Sequence, residues 1–276
     1  MCRWLAYYGD PIPIDALVFR RQHSLIDQSL HSQLGATTTN GDGFGMGWYG
    51  DDPEPGVYRS VHPAWNDRNL RELAEHISSR LFFAHIRAST GTAVQETNTH
   101  PFRHGRWLFM HNGLVREFPR LRRDMLLAID PSLIPAIEGS TDSELLFHLA
   151  LTFGLEDDPV EALERMTGFV EDLGERHAVE NPLQMSVAVT DGERIVAARY
   201  SSERQSRSLF FSTDARALKE MHPDVEELQL LSDEARAIVS EPLGDLEGAW
   251  NEVPESHIGV VQQGADELRP FTPRRG

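Results

Sequence analysis

The chain opens Met1-Cys2-Arg3-Trp4-Leu5-Ala6-Tyr7-Tyr8, and the rest of the sequence is organised around these residues. Arg3 to Tyr8 is aromatic and apolar and is followed by Gly9-Asp10-Pro11, so it reads as a short strand ending there. A strand start buried in a sheet would hold Cys2 rigidly. Cys2 is the only cysteine in the chain, and it sits directly behind the initiator methionine. Cysteine is small enough to permit methionine removal, which would leave an α-amine and a thiol on one residue. An α-amine has an unperturbed pKa of roughly 7.7–8.0, so it can serve as general base for its own side chain near neutral pH. A small residue chosen only for methionine removal explains the position equally well, so the remaining sequence has to decide.

Composition narrows the choices. A chain of 276 residues that is 40% hydrophobic can build a sizeable core. Its net charge of −17 disfavours a nucleic-acid or anionic-membrane partner, since either needs a basic footprint. No stretch is long and apolar enough to span a bilayer and no signal-peptide core is present, which points to a cytoplasmic protein. A single cysteine excludes an internal disulfide framework and cysteine-rich zinc sites.

Strand and helix signals come in blocks. The alternation of glycine with bulky residues in Asn40-Gly41-Asp42-Gly43-Phe44-Gly45-Met46-Gly47-Trp48-Tyr49 marks a strand with one bare face, over which another backbone or a ligand passes closely. No Gly-Lys-Ser/Thr follows, so a phosphate loop is a poor reading. Helices are expected over 67–80, 118–129, 144–153 (opened by the capping box Thr141-Asp142-Ser143-Glu144) and 159–176. Strands are expected over 81–87 and 106–110, the latter ending at His111-Asn112-Gly113. Strands over 185–190 and 194–200 flank the hairpin signal Asp191-Gly192-Glu193, and 209–213, 235–239 and 257–262 add more. Block order favours an α+β layered fold. No compositional break marks a second domain, so residues 1–276 read as a single domain with a tail that is disordered from about Glu267.

Polar clusters recur at the ends of the apolar runs: Arg87-Ala88-Ser89-Thr90, His111-Asn112-Gly113 and Thr141-Asp142-Ser143. Together they match what a γ-glutamyl amide demands. Its α-carboxylate needs a fork of donors, which Arg87 supplies, with Ser89 and Thr90 beside it as further substrate-binding residues. Its α-ammonium needs a carboxylate, for which Asp142 is placed. The tetrahedral intermediate needs oxyanion donors, and Asn112 offers a side-chain amide and Gly113 a backbone N–H. Each piece has an ordinary explanation too: an ion pair for Arg87, a turn for Asn112-Gly113, a helix dipole for Asp142. Those explanations do not account for all of them behind a cysteine at position two.

On these motifs, with Ala84-His85-Ile86 before Arg87 and Asn98-Thr99-His100-Pro101-Phe102, the sequence resembles the class II glutamine amidotransferases, the N-terminal-nucleophile (Ntn) hydrolase group. The order and spacing agree throughout the first half of the chain. The resemblance implies a four-layer αββα sandwich with Cys2 as nucleophile at a strand start, Asn112 and Gly113 as oxyanion hole, and Arg87 and Asp142 as substrate clamps. It implies no cofactor and no metal. His23-Ser24-Leu25-Ile26-Asp27-Gln28-Ser29 and Pro63-Ala64-Trp65-Asn66 resemble the short stand-alone branch. That branch contains the glutathione-degradation subunit of the fungal DUG pathway and the ergothioneine-pathway γ-glutamyl hydrolase. Ala88 departs from the larger members, which commonly carry an aromatic residue there.

The expected activity is cleavage of a γ-glutamyl amide (glutamine, or a γ-glutamyl peptide such as glutathione) through a γ-glutamyl thioester, with glutamate released. One alternative is a glutaminase subunit passing ammonia to a separate synthase. After about Gln263 too little chain remains for an acceptor domain, so a synthase or peptidase partner would be a separate subunit. A non-catalytic subunit of the same fold is disfavoured by the joint presence of Cys2, Arg87, Asn112 and Asp142. A metal-dependent hydrolase using His85, His100, His104 and His111 lacks the paired spacing of a helical zinc motif.

Overall fold

The computed structural model describes residues 2–30, 40–89, 92–229, 231–264 and 266–276, and it assembles the β-rich stretches into two antiparallel sheets. The first sheet runs β11 (Trp250–Glu252), β9 (Phe210–Ser212), β10 (Arg236–Val239), β1 (Arg3–Pro13), β4 (Ser78–Ile86), β2 (Phe44–Trp48), β3 (Gly56–Ser60). The second runs β13 (Glu267–Pro270), β12 (His257–Val261), β8 (Ile195–Ser201), β7 (Leu183–Thr190), β6 (Trp107–Val115), β5 (Phe102–His104). Helices α1 (Asp15–Val18), α2 (Leu25–Leu30) and α3 (Arg68–His76) pack on the first sheet, with α7 (Ala215–Met221) and α8 (Glu226–Gln229) at its flank. Helices α4 (Phe118–Ala128), α5 (Asp142–Thr152) and α6 (Pro159–Arg176) cover the second. The layers are therefore αββα, as the resemblance implied.

Side-chain parity along the strands builds these layers. Successive strand residues point to opposite faces. Trp4, Ala6 and Tyr8 of β1 and Leu81 and Phe83 of β4 meet Leu108 and Met110 of β6 between the sheets. Their neighbours Leu5, Tyr7, Phe82, Ala84 and Ile86 face the helices of the first sheet. Phe109 and Val115 face α4, α5 and α6. Burying a large apolar side chain in such a layer stabilises the fold by roughly 1.5–3 kcal/mol. Two apolar faces on every central strand leave little freedom of register, because a slip of one residue exchanges the layers.

The bare face of β2 is used as its sequence indicates. Phe44 and Met46 point to the helices, so Gly45 and Gly47 face the second sheet. A Cβ on Gly45 would lie 2.0 Å from the His100 carbonyl oxygen, and one on Gly47 would lie 2.8 Å from Leu108 Cδ1. The loop carrying Asn98 to Pro101 thus crosses β2 at backbone contact distance.

Several boundaries differ from the sequence expectations. β1 continues through Gly9-Asp10-Pro11 to Pro13, because a register shift between Tyr8 and Ile12 absorbs the break and pairing with β4 resumes at Ser79 and Ser78. The helix expected over 67–80 ends at His76, and its last residues join β4 instead. His111-Asn112-Gly113 lies inside β6, not at its end, because β7 pairs with β6 as far as Val115. The tail expected to be disordered from Glu267 forms the edge strand β13 on β12. Beyond it Phe271 is buried in the second sheet's core, and Arg274 pairs with Glu164 of α6.

Gly45→Ala is expected to destabilise the protein by roughly 1–3 kcal/mol, since the facing atom is backbone and cannot rotate away. Urea unfolding would measure this, and an unchanged midpoint would contradict the close approach.

Candidate active site

Parity also brings the polar residues together. Cys2 continues the Trp4, Ala6, Tyr8 face of β1, Arg87 continues the Leu81, Phe83, His85 face of β4, and Asn112 continues the Leu108, Met110 face of β6. All three sit at one mouth of the inter-sheet layer and line a single cleft of about 1290 Å³. Ser89, Gly113 and Asp142 line the same cleft. Thr90 lies outside the described residues.

The Cys2 thiol is half-buried. Its sulfur accepts the Ala88 N–H at 3.4 Å and lies 3.6 Å from the Ala88 carbonyl. Burial pushes the thiol pKa up, against the opposing pull of the Ala88 N–H and the charges of Arg87 and Arg3. Burial therefore favours the neutral thiol over the thiolate. The Cys2 carbonyl oxygen accepts from Asn112 Nδ2 at 3.0 Å and from Arg3 Nη1 at 2.9 Å.

Arg87 is 3% exposed. One arm of its fork is used internally, with Nη2 donating to Thr92 Oγ1 at 2.8 Å and the Ala93 carbonyl at 2.9 Å. Nη1 is buried with no hydrogen-bond partner. A buried unpaired donor is costly, so an anion arriving at this arm would relieve that cost. The fork therefore offers one open arm where the sequence suggested two. Ser89 Oγ donates to the Thr92 carbonyl at 2.7 Å, and Ser89 N donates to Asp42 Oδ2 at 2.7 Å, so Ser89 shapes the loop around Arg87.

Asp142 opens α5. Its Oδ2 accepts the Val115 N–H and its Oδ1 the Ser143 N–H, each at 2.8 Å. Thr141 caps the helix by accepting the Glu144 N–H, but Glu144 does not reach back to close a capping box. Its carboxylate instead accepts the N–H groups of Glu138 and Gly139, each at 2.8 Å, and ties down the loop before the helix. The Val115 contact also orients Gly113. Val115 N–H points away from β7, and alternation along the strand turns the Gly113 N–H to the same open side, into the cleft. A Cβ on Gly113 would fall 1.9 Å from the Gln184 carbonyl oxygen, so no larger residue fits this strand position unshifted.

Several residues of the site escaped the sequence reading. Arg3 Nε pairs with Glu241 at 2.7 Å, and the other Glu241 oxygen meets His23 Nε2 at 2.7 Å, with His23 Nδ1 2.9 Å from Asp27. This buried chain grips the strand beneath Cys2. Asp42, which holds Ser89, sits in the quoted Asn-Gly-Asp-Gly run and was a visible signal. Glu241 and the cleft residue Arg207 lie more than two hundred positions from Cys2 and carry no local signal.

The histidines do not gather as metal ligands. The His85 and His100 ring centroids lie 4.3 Å apart, with the rings tilted to each other by 33°, His111 Nδ1 bonds Ser143 Oγ at 2.8 Å, and His104 lies instead beside His148. Among the described residues no group of three or more His, Cys, Asp or Glu could hold a metal ion.

Comparison with known proteins places this geometry. The family profile described as "Glutamine amidotransferases class-II" matches residues 21–274. A Saccharomyces cerevisiae protein named "Probable glutamine amidotransferase DUG3" is 33% identical over 98% of this chain and 84% of its own length. The "Gamma-glutamyl-hercynylcysteine sulfoxide hydrolase" of Mycolicibacterium smegmatis is 25% identical over 98% of this chain and its whole length. Among solved structures, a glutamine aminotransferase class-II domain protein from Silicibacter pomeroyi has a TM-score of 0.76 and 35% identity over 99% of this chain and all of its own. The glutamine phosphoribosylpyrophosphate amidotransferase of B. subtilis shares the fold alone, at a TM-score of 0.64 and 15% identity over half of its chain.

The buried histidines give the protein a defined pH response. Burial lowers His85 to about 3 and holds His100 well below the usual histidine value. The unfolded chain, with histidines near 6.5, therefore binds more protons than the fold at mildly acidic pH, and stability falls as pH drops through about 6.5. Each histidine contributes a slope of up to about 1.4 kcal/mol per pH unit below that point. Denaturant unfolding between pH 7.5 and 5 should show a shallower slope for His85→Gln than for the parent. Equal slopes would mean that His85 is not held neutral.

Proposed function

The chain belongs to the class II glutamine amidotransferases, and from that membership we propose that it is an N-terminal cysteine hydrolase of γ-glutamyl amides. The reading rests on one observation: Cys2 Sγ, Asn112 Nδ2 and the unpaired Arg87 Nη1 converge on one cleft at the mouth of the inter-sheet layer. Loss of Met1 frees the Cys2 α-amine. That amine takes the thiol proton, and the sulfur attacks the γ-carbonyl carbon. The oxyanion that forms is met by Asn112 Nδ2 and the Gly113 N–H, while Arg87 Nη1 holds the substrate α-carboxylate and Asp142 its α-ammonium.

Collapse of the intermediate breaks the C–N bond, and the protonated Cys2 α-amine gives its proton to the leaving amine. A γ-glutamyl thioester on Cys2 remains. Water, deprotonated by the same amine, attacks the thioester, and glutamate leaves as the thiol reforms. The raised thiol pKa supports the need for this base, since burial otherwise keeps the sulfur protonated.

Two groups of acceptor remain in play for a class II enzyme, ammonia-consuming synthases and water. We favour water. The hydrolase relative aligns over its whole length, and the yeast relative over most of its length. A γ-glutamyl peptide such as glutathione fits the resemblance to the DUG branch, and a peptidase partner would then process the released dipeptide. The deciding experiment supplies glutamine and, separately, γ-glutamyl peptides to the purified chain alone. Glutamate release from peptides supports the reading. Cleavage of glutamine only, and only with a co-purifying synthase, gives the amidotransferase-subunit reading its place.

Active enzyme should have an intact mass lacking Met1, and Cys2→Ser should lose most activity because a hydroxyl is far harder to ionise. Full activity with Met1 retained would rule the mechanism out, since an amide nitrogen cannot accept the proton.

Steady-state kinetics should separate the roles of the other residues. Asn112→Ala should lower kcat by about 10²–10³-fold, and Arg87→Ala and Asp142→Ala should mainly raise KM. A normal kcat in Asn112→Ala would remove that residue from the oxyanion site.

A further inference from the structure

A second guanidinium lines the cleft. Arg207 lies on the segment between β8 and β9, and its backbone is pinned on both sides. Ser206 N and Oγ donate to Glu255 Oε2 at 3.0 and 2.5 Å, and Ser208 Oγ donates to the Ser240 carbonyl at 2.8 Å. The Arg207 side chain lines the cleft together with Cys2, and its Nε is buried with no hydrogen-bond partner. No ion pair satisfies it among the described residues, in a chain with 43 acidic and 26 basic residues. Other well-covered arginines find carboxylates: Arg3 meets Glu241, Arg199 meets Glu252, and Arg236 meets Asp214 and Asp266. Of the acidic residues of the same cleft, Glu117 and Glu180 are exposed and Asp142 accepts from the Val115 and Ser143 N–H groups, and none of the three pairs with Arg87 or Arg207.

Arg87 and Arg207 both line the cleft that Cys2 lines. Burial lowers the pKa of each. For Arg207 the charge of Arg3 lowers it further, and for both the Cys2 thiolate opposes the fall. The cleft therefore presents two guanidiniums, each with a buried nitrogen that has no hydrogen-bond partner. Glutamine carries one carboxylate. A γ-glutamyl amino acid or peptide carries two, the glutamyl α-carboxylate and the carboxylate of the leaving amine. A cleft of about 1290 Å³ exceeds the usual 300–1,000 Å³ ligand pocket and has room for the second half.

Resting on the hydrolase reading above, we propose that Arg207 is a specificity-determining residue that binds the carboxylate of the leaving group, so that the preferred substrates are γ-glutamyl amino acids or peptides ending in a free carboxylate. With Arg87 holding the glutamyl end and Arg207 the other, the scissile bond is fixed at both sides. A charge-assisted hydrogen bond of this kind is worth roughly tenfold to a hundredfold in discrimination. A purely electrostatic role for Arg207 on the thiol would instead affect every substrate alike.

The test compares γ-glutamylalanine with γ-glutamylalaninamide, which differ only in that carboxylate, with glutamine as a third substrate. The parent enzyme should cleave the acid with a kcat/KM at least about tenfold above the amide. In Arg207→Gln that ratio should collapse toward one, and Arg207→Lys should restore part of it. A parent ratio near one overturns the inference without any variant being made, while the γ-glutamyl hydrolase reading stands. An equal loss on acid and amide in Arg207→Gln also overturns it, since the arginine then acts on the thiol. Failure of the parent to cleave any of the three overturns both readings.

Discussion

The hydrogen bond from Asn112 Nδ2 to the Cys2 carbonyl oxygen joins the two sheets at the mouth of the layer between them. One partner begins the central strand of the first sheet, and the other lies within a strand of the second. Everything chemical in the cleft depends on those sheets keeping their spacing and register. The constraint is met by packing. Trp4, Phe83, Leu108 and Met110 fill the space directly behind the site, so the sheets cannot slide without opening a cavity in a close-packed layer. Under the proposed mechanism the same donor would lie close to an oxyanion formed on a Cys2 adduct.

A second constraint acts from beneath. Arg3, Glu241 and His23 form a buried hydrogen-bonded chain at the strand that carries Cys2, and both Arg3 and Glu241 are almost fully covered. Desolvating such groups costs energy that a well-packed apolar cluster would not, so the network contributes little net stability. Its geometry contributes position. Arg3 Nη1 holds the Cys2 carbonyl while Arg3 Nε holds Glu241, and Gln28 Nε2 fixes the Glu241 and Pro242 carbonyls. Removing one member would leave a buried charge without its partner. The Cys2 backbone is thus fixed from three elements far apart in sequence: β1, β6 and the segment after β10.

This distance explains which parts were legible in the sequence. The α+β layered class followed from strand and helix blocks and the glycine face of β2 from composition, because both are local signals, whereas the αββα layer order came from the family resemblance. Arg87, Asn112, Gly113 and Asp142 were legible because each sits at the polar end of an apolar run. The strand context of Asn112-Gly113 was not legible. The dipeptide favours a turn locally, and only pairing with β7 holds it extended. The same holds for Gly9-Asp10-Pro11, where pairing with β4 carries the strand past a local break. Glu241 and Arg207 reach the site through tertiary contact alone, and no periodicity reports such a contact.

The charge of the cleft runs against the charge of the chain. A net −17 surface repels anions at long range, yet salt at physiological strength screens exposed charges beyond about 8 Å. Inside the cleft the balance is local. Arg3, Arg87 and Arg207 all lie within electrostatic reach of Cys2, and the unpaired atoms of Arg87 and Arg207 are buried, where screening is weak. An anionic substrate therefore meets repulsion only at a distance where it is already damped, and attraction where it is strongest. The arginines also favour the thiolate over the thiol, offsetting part of the burial that raises its pKa. Binding a substrate carboxylate at Arg87 would cancel some of that help as the substrate arrives. The base proposed here, the α-amine of Cys2 itself, would remove that conflict, because proton removal would then no longer depend on arginines that substrate binding neutralises.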